Sequence, residues 1–195
     1  MTRLAPIPRE DLPQYEPVFQ IIEGAMGFLP SSMRTMAHVP QVLDGFNAMA
    51  MGVATAGFID HGLSQMIANV TSLAAGCRYC QAHTAAHAEH AGIAAEKIEH
   101  LWEFETSDLF TDAERVALRV ALGAGGSPNS VTDEQFAELS EHYSDEAIVQ
   151  IVGTIAMFGF LNRWNDTMAT TLEDEPMGFA QSHLGHAGWE PGKHA

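Results

Sequence analysis

Residues 62–92 read GLSQMIANVTSLAAGCRYCQAHTAAHAEHAG, and this stretch decides the fold class. Gly62 introduces an apolar helix over 63–75, and Gly76 interrupts it. Cys77 begins a second helical stretch that runs to about 91, where Gly92 closes it. Upstream, Phe19, Ile22 and Met26 share one face of a helix over about 14–26, which Gly27 and Pro30 end. Ser31 and Ser32 cap a short helical turn, and Pro40 opens a Met-rich helix that ends near 57. Downstream, Thr111 with Glu114 and Thr132 with Gln135 have the form of capping boxes, the first opening a helix to about 122. Ser144 caps a third helix that is apolar nearly all round, with Ile148, Val149, Ile151, Val152, Ile155, Met157 and Phe158. A helix without a polar face belongs in the middle of a bundle or at a subunit interface. No alternating β-branched run lies between tight turns, so the expected fold is all-α.

The chain has 195 residues and a mass of 21.1 kDa, enough for one domain that buries a core without metals or disulfides. We expect a helical domain over 1–175, led by a Pro-rich extended arm over 1–13. An irregular tail over 176–195 is expected to dock through Phe179 and Trp189. Gly125-Gly126-Ser127-Pro128 reads as a linker between a larger half that carries the cysteines and a smaller helical half. Nine Lys and Arg against 25 Asp and Glu give a net charge of −16, which argues against nucleic acid and polybasic membrane docking. The most apolar run, 151–161, is about half of what a bilayer requires, so no spanning segment is expected. The N-terminal prolines interrupt any secretory signal, so the expected compartment is cytoplasmic. Two cysteines in such a chain point to catalysis or metal binding before a structural disulfide.

Cys77 and Cys80 stand one helical turn apart at a helix start. Thiols so placed close a small-ring disulfide with little backbone motion, as a reversible redox couple needs. Unpaired N–H groups at a helix start favour a thiolate, and Arg78 adds a cation between the two. His83, three residues after Cys80, lies over the preceding turn and serves as a candidate base, with Thr84 beside it and His87 farther along the same face. Other readings stay open. Two buried cysteines also pack as small apolar residues. Cys77, Cys80, His83 and His87 are zinc-binding types, although one helix surrounds an ion poorly. His90 and His100 read as surface residues, and Met33, Met36, Met49 and Met51 as core filler. In Asn162-Arg163-Trp164-Asn165-Asp166, Arg163 pairs with Asp166 or caps a neighbouring helix, or one of these polar groups lines the mouth of a thiol pocket. Trp102 and Phe104 are candidates for the apolar wall of that pocket.

Gly76-Cys77-Arg78-Tyr79-Cys80-Gln81-Ala82-His83, after an apolar helix and before Gly92, resembles the alkylhydroperoxidase AhpD core of the carboxymuconolactone decarboxylase family. Residues 27–40 and 158–166 resemble its peroxidase-related group, and the likeness spans roughly 15–172. The resemblance implies an AhpD-like helical bundle, commonly a homo-oligomer, with thiol peroxidase or disulfide reductase chemistry and no cofactor or metal. Cys80 then matches the peroxidatic cysteine, which becomes a sulfenic acid, and Cys77 the resolving cysteine that condenses with it to a disulfide. The implied partners are a hydroperoxide or disulfide substrate and an external dithiol or lipoyl-type reductant. Two positions depart from the pattern. The family's glutamate, twelve residues before the first cysteine, is Gln65 here, an amide that cannot carry a proton away. The family's histidine, four residues after the second cysteine, is Thr84, with His83 one place earlier; either a relay of His83 with Thr84 and water substitutes for the usual pair, with Gln65 and His87 as further relay candidates, or the activity is weakened or altered. A lactone isomerase or decarboxylase that does not use the cysteines, and a non-catalytic oligomer that senses oxidation, are the competing functions.

Overall fold

The computed structural model describes residues 2–195; Met1, the first residue of the expected arm, lies outside the described residues. Ten α-helices follow one another with no strand among the described residues: α1 Glu16–Met26, α2 Ser31–Met36, α3 Pro40–Thr55, α4 His61–Ala75, α5 Arg78–His90, α6 Ala95–Glu99, α7 Asp112–Gly125, α8 Asp133–His142, α9 Asp145–Met168 and α10 Asp174–His183. The chain is all-α, as its residue pattern predicts, and AhpD-like, as the resemblance implies.

The local signals act where the sequence places them. Gly27 and Gly76 end α1 and α4 in the left-handed region, with φ of 82° and 73°. Thr111 and Thr132 each close a full capping box at the starts of α7 and α8. The Ser144 side chain accepts from the Ala147 N–H at the start of α9. Asp60 caps α4 by accepting from Leu63, two residues earlier than the glycine signal suggested.

Helix α4 is the centre of the bundle. Its Leu63, Met66, Ile67 and Val70 pack with Leu118 of α7, Leu139 of α8 and Ile151 of α9 in one apolar cluster. Three side-chain amides bind the helices together. Asn69 of α4 donates to Gln81 O and Thr84 Oγ1 of α5. Gln81 donates to Ser72 O, and Gln150 of α9 holds the Phe58 and Ile59 N–H groups and Val53 O. The N-terminal arm runs across this body, with the Arg3 N–H on Met168 O and Arg9 forked between Glu16 and Glu23.

Several expectations need correction. The chain does not divide at 125–128, because α9 packs on both α4 and α5. Gly125 is instead a point of close approach: a Cβ there would lie 2.8 Å from Thr71 O. The segment from 176 on is not an irregular tail. Pro176 falls in the first turn of α10, where a proline is tolerated, and two acidic residues precede it. Turns at Gly185–Ala187 and Gly192–His194 then return the chain to α5, where Trp189 donates to Arg78 O. Helix α9, over 24 residues, is long and apolar enough to cross a membrane, contrary to the shorter run read from sequence. In this fold one side of it packs in the core, while Val149 (71% exposed), Val152 and Phe160 stand on the surface.

Candidate active site

Cys77 is the residue before α5, and Cys80 lies one turn inside it; both are free thiols, buried at 0% and 2% exposure. The two thiols are neighbours that shift each other's protonation. The two sulfurs differ in surroundings. The neighbouring Cys80 thiol holds the Cys77 thiol below its ordinary pKa against the opposing effect of burial. The N–H groups of Tyr79 and Cys80 add to this, although neither closes a capping hydrogen bond. Burial pushes the Cys80 thiol well up, and the neighbouring Cys77 charge adds to the rise. The helix start therefore favours charge on Cys77 and not on Cys80.

Cys80 lines a cavity of about 200 Å³ between α3, α4, α5 and α9, and Cys77 does not. Asn165 of α9 reaches in, its Nδ2 donating to Cys80 Sγ at 3.4 Å. That residue is the polar group of the 162–166 cluster at the thiol pocket. Arg163 instead bonds Gly159 O, and Asp166 pairs with Lys193. The apolar walls include Met33, Phe46, Met157, Phe158 and Leu161. Trp102 and Phe104 are not among them: Trp102 is exposed and Phe104 sits in the main core. Met36 is buried, but Met49 and Met51 are exposed and are not core filler.

The expected relay residues all reach this cavity, with different freedom. His83 lines it and bonds Glu173 Oε2 through Nε2 at 2.7 Å. Its ring stacks on Tyr79, with centroids 4.2 Å apart, and meets the edge of Phe28. Thr84 lines the cavity too, but its hydroxyl donates to Cys80 O and accepts from Asn69, so it is already engaged. His87 is neutral at physiological pH, because burial, with the nearby His83, His90 and His61, pushes its pKa down to about 3. Gln65 is buried and its Oε1 has no hydrogen-bond partner.

The carboxylate of this site is Glu173, a residue the sequence reading missed. Ala169 ends α9 with φ of 48°, and the chain turns back so that Glu173 caps the approach to α10 directly over α5. It accepts from the Ser31 N–H at 2.6 Å, the Tyr79 hydroxyl at 3.1 Å and His83. Burial opposes its charge, yet the bond to His83 and the His83 charge keep it below the usual carboxylate range. Glu173 opens an acidic run with Asp174 and Glu175, and nothing in that run singles it out as a site residue. No group of three or more His, Cys, Asp or Glu side chains among the described residues is arranged to hold a metal ion.

The sequence profile of the carboxymuconolactone decarboxylase family matches residues 40–122, which hold α3 to α6, most of α7 and both cysteines. The debrominase Bmp8 is 36% identical over 93% of this chain and 97% of its own, with a TM-score of 0.88, in a crystal structure of a cysteine-to-alanine variant bound to 2,3,4-tribromopyrrole. This chain belongs to the carboxymuconolactone decarboxylase family. A peroxidase-related protein of the family's AhpD core, from Ralstonia eutropha JMP134, shares the fold with a TM-score of 0.80 at 24% identity, covering 92% of this chain and 95% of that one. The uncharacterized protein YnjA of Escherichia coli K12 is 26% identical over 92 residues, 47% of this chain; the chain spans 50% of the length of that curated relative. The family's fold and its Cys-x-x-Cys pair are therefore present here, while the chemistry the pair performs is a separate matter.

Proposed function

We propose that this family member is a cytosolic thiol-dependent reductase in which Cys80 takes an electrophilic atom from a small apolar substrate and Cys77 resolves the product. The observation that carries it is that Cys80 lines a largely apolar cavity while Cys77, one helical turn away, does not. The leading substrate is an alkyl hydroperoxide. Cys80 gives its proton to His83, and the Cys80 thiolate attacks the terminal peroxide oxygen. The O–O bond breaks, the alkoxide takes a proton from His83, and Cys80 becomes a sulfenic acid. Cys77 then gives its proton to His83 and attacks the Cys80 sulfur. Hydroxide leaves and takes that proton as water, and a disulfide remains. An external dithiol or lipoyl group reduces the disulfide, restoring both thiols. Glu173 positions His83 through Nε2, which leaves Nδ1 for proton exchange.

A second substrate reading follows from Bmp8, a debrominase at 36% identity. The same two sulfurs balance a reductive dehalogenation: Cys80 takes the halogen, the ring carbon takes a proton, and Cys77 displaces halide as the disulfide closes. Homo-oligomerisation belongs to the proposal as well, supported by the apolar surface of Met49, Phe58, Val149 and Phe160 on and beside α3 and α9.

The test is turnover by the reduced protein with a dithiol, offered cumene hydroperoxide or 2,3,4-tribromopyrrole. Consumption of peroxide, or release of bromide, is expected from the wild type and is abolished in Cys80→Ser. Turnover that persists in Cys80→Ser overturns the proposal and favours a non-redox reaction of the lactone decarboxylase kind.

A further inference from the structure

The cavity beside Cys80 is mostly apolar, and three of its polar atoms lack partners. Gln65 Oε1, Asn165 Oδ1 and His87 Nε2 are buried with no hydrogen-bond partner, and all three residues line the cavity. Gln65 is 9% exposed and Asn165 1%. A buried polar atom left unmatched costs about 1–3 kcal/mol, and native structures hold few of them. Three in one cavity mark a place where something else supplies the partner. Asn165 is the most constrained: its amide nitrogen is spent on Cys80 Sγ, which leaves its oxygen as an unmatched acceptor on a residue that touches the reacting sulfur. Gln65 adds a second acceptor oxygen, where the family pattern has a carboxylate.

The cavity carries no Lys or Arg for an anion. Its nearest carboxylate, Glu173, is already shared among Ser31, Tyr79 and His83, so it offers a cation little. Burial keeps His87 uncharged. The volume, about 200 Å³, suits a single substituted ring, since an apolar cavity of roughly 150 Å³ takes benzene.

We infer that the substrate of this site is an uncharged, ring-sized apolar molecule that donates one N–H or O–H to the oxygens of Gln65 and Asn165. It lies with its apolar body against Met157, Phe158 and Leu161. Position 65 thus reads the ligand, and Glu173 with His83 carries the proton work that the family's glutamate performs. This rests on the redox reading only in placing the donor next to Cys80.

Binding is measured by calorimetry in the Cys77→Ser/Cys80→Ser double variant, which cannot turn over. The probes are two isomers of equal volume, 2,3,4-tribromo-5-methylpyrrole, which keeps its N–H, and 2,3,4-tribromo-1-methylpyrrole, which lacks it. An O–H arm compares cumyl alcohol with its methyl ether. In at least one arm the donor-bearing probe is expected to bind about tenfold tighter, and Gln65→Leu to erase that preference by weakening the donor probe alone. Gln65→Met replaces Gln65→Leu if the latter does not fold. Equal affinities in both arms, a preference that survives loss of Gln65, or binding by none of the four probes overturns the inference. Failure here with Cys80-dependent turnover intact removes the ligand class and leaves the redox chemistry standing; the reverse outcome removes the redox chemistry alone.

Discussion

Position 173 shows how a single side chain can be decisive and still invisible in the sequence. Cys77, Cys80 and His83 announce themselves by spacing on one helix, whereas Glu173 lies ninety residues beyond its partner and reaches it only because α9 ends in a left-handed turn. Its role predicts a split in kinetics. Glu173→Gln is expected to lower kcat about 10²-fold with little change in KM, the scale of a misplaced acid–base group, while Glu173→Asp recovers part of the loss; a purely structural residue would change the folded fraction and leave kcat per folded molecule intact. A pH dependence follows as well. Because the folded carboxylate titrates below its ordinary range, its stabilising effect is full above that range and is lost as pH falls through the lowered value. The melting temperature of the wild type should therefore exceed that of Glu173→Gln at neutral pH, and the gap should narrow on acidification. A gap that stays constant down to the acid transition would contradict the ion pair.

Helices are the level at which sequence and structure agree best. Capping boxes, a serine cap and C-terminal glycines act within one turn, so their meaning does not depend on the rest of the chain. Two element-scale readings failed for the same reason in reverse. Gly125 looked like part of a flexible linker because glycine frees the backbone, but its requirement comes from Thr71 on another helix. Pro176 looked like the start of irregular chain, yet it occupies a first-turn position and α10 rests on α5. Gly125→Ala should accordingly destabilise the protein by about 1–3 kcal/mol, because the new methyl meets backbone that cannot yield easily. Chemical denaturation measures this. A neutral or stabilising result, as a linker glycine would give, contradicts the close approach.

At the scale of the whole molecule, the chain spends its apolar residues in two ways. Part of them fills the core around α4, and part stays outside on α3 and α9, where Val149 is 71% exposed. An exposed apolar face on a chain of net charge −16 predicts association through that face, since charge elsewhere keeps other contacts apart. Val149→Glu should lower the mass seen by light scattering while leaving helicity unchanged. A monomeric wild type would contradict this.

The sequence alone determined that this protein is helical, where most helices begin and end, and that two thiols share a helix start. These are matters of neighbours within about four residues, which local backbone chemistry decides. Only the tertiary structure decided that Cys80 and not Cys77 opens on a cavity, that Thr84 is engaged elsewhere, and that the carboxylate comes from position 173. Each depends on how helices distant in sequence pack together, and packing turns a residue toward solvent, a cavity or a partner without leaving a mark in the residues beside it.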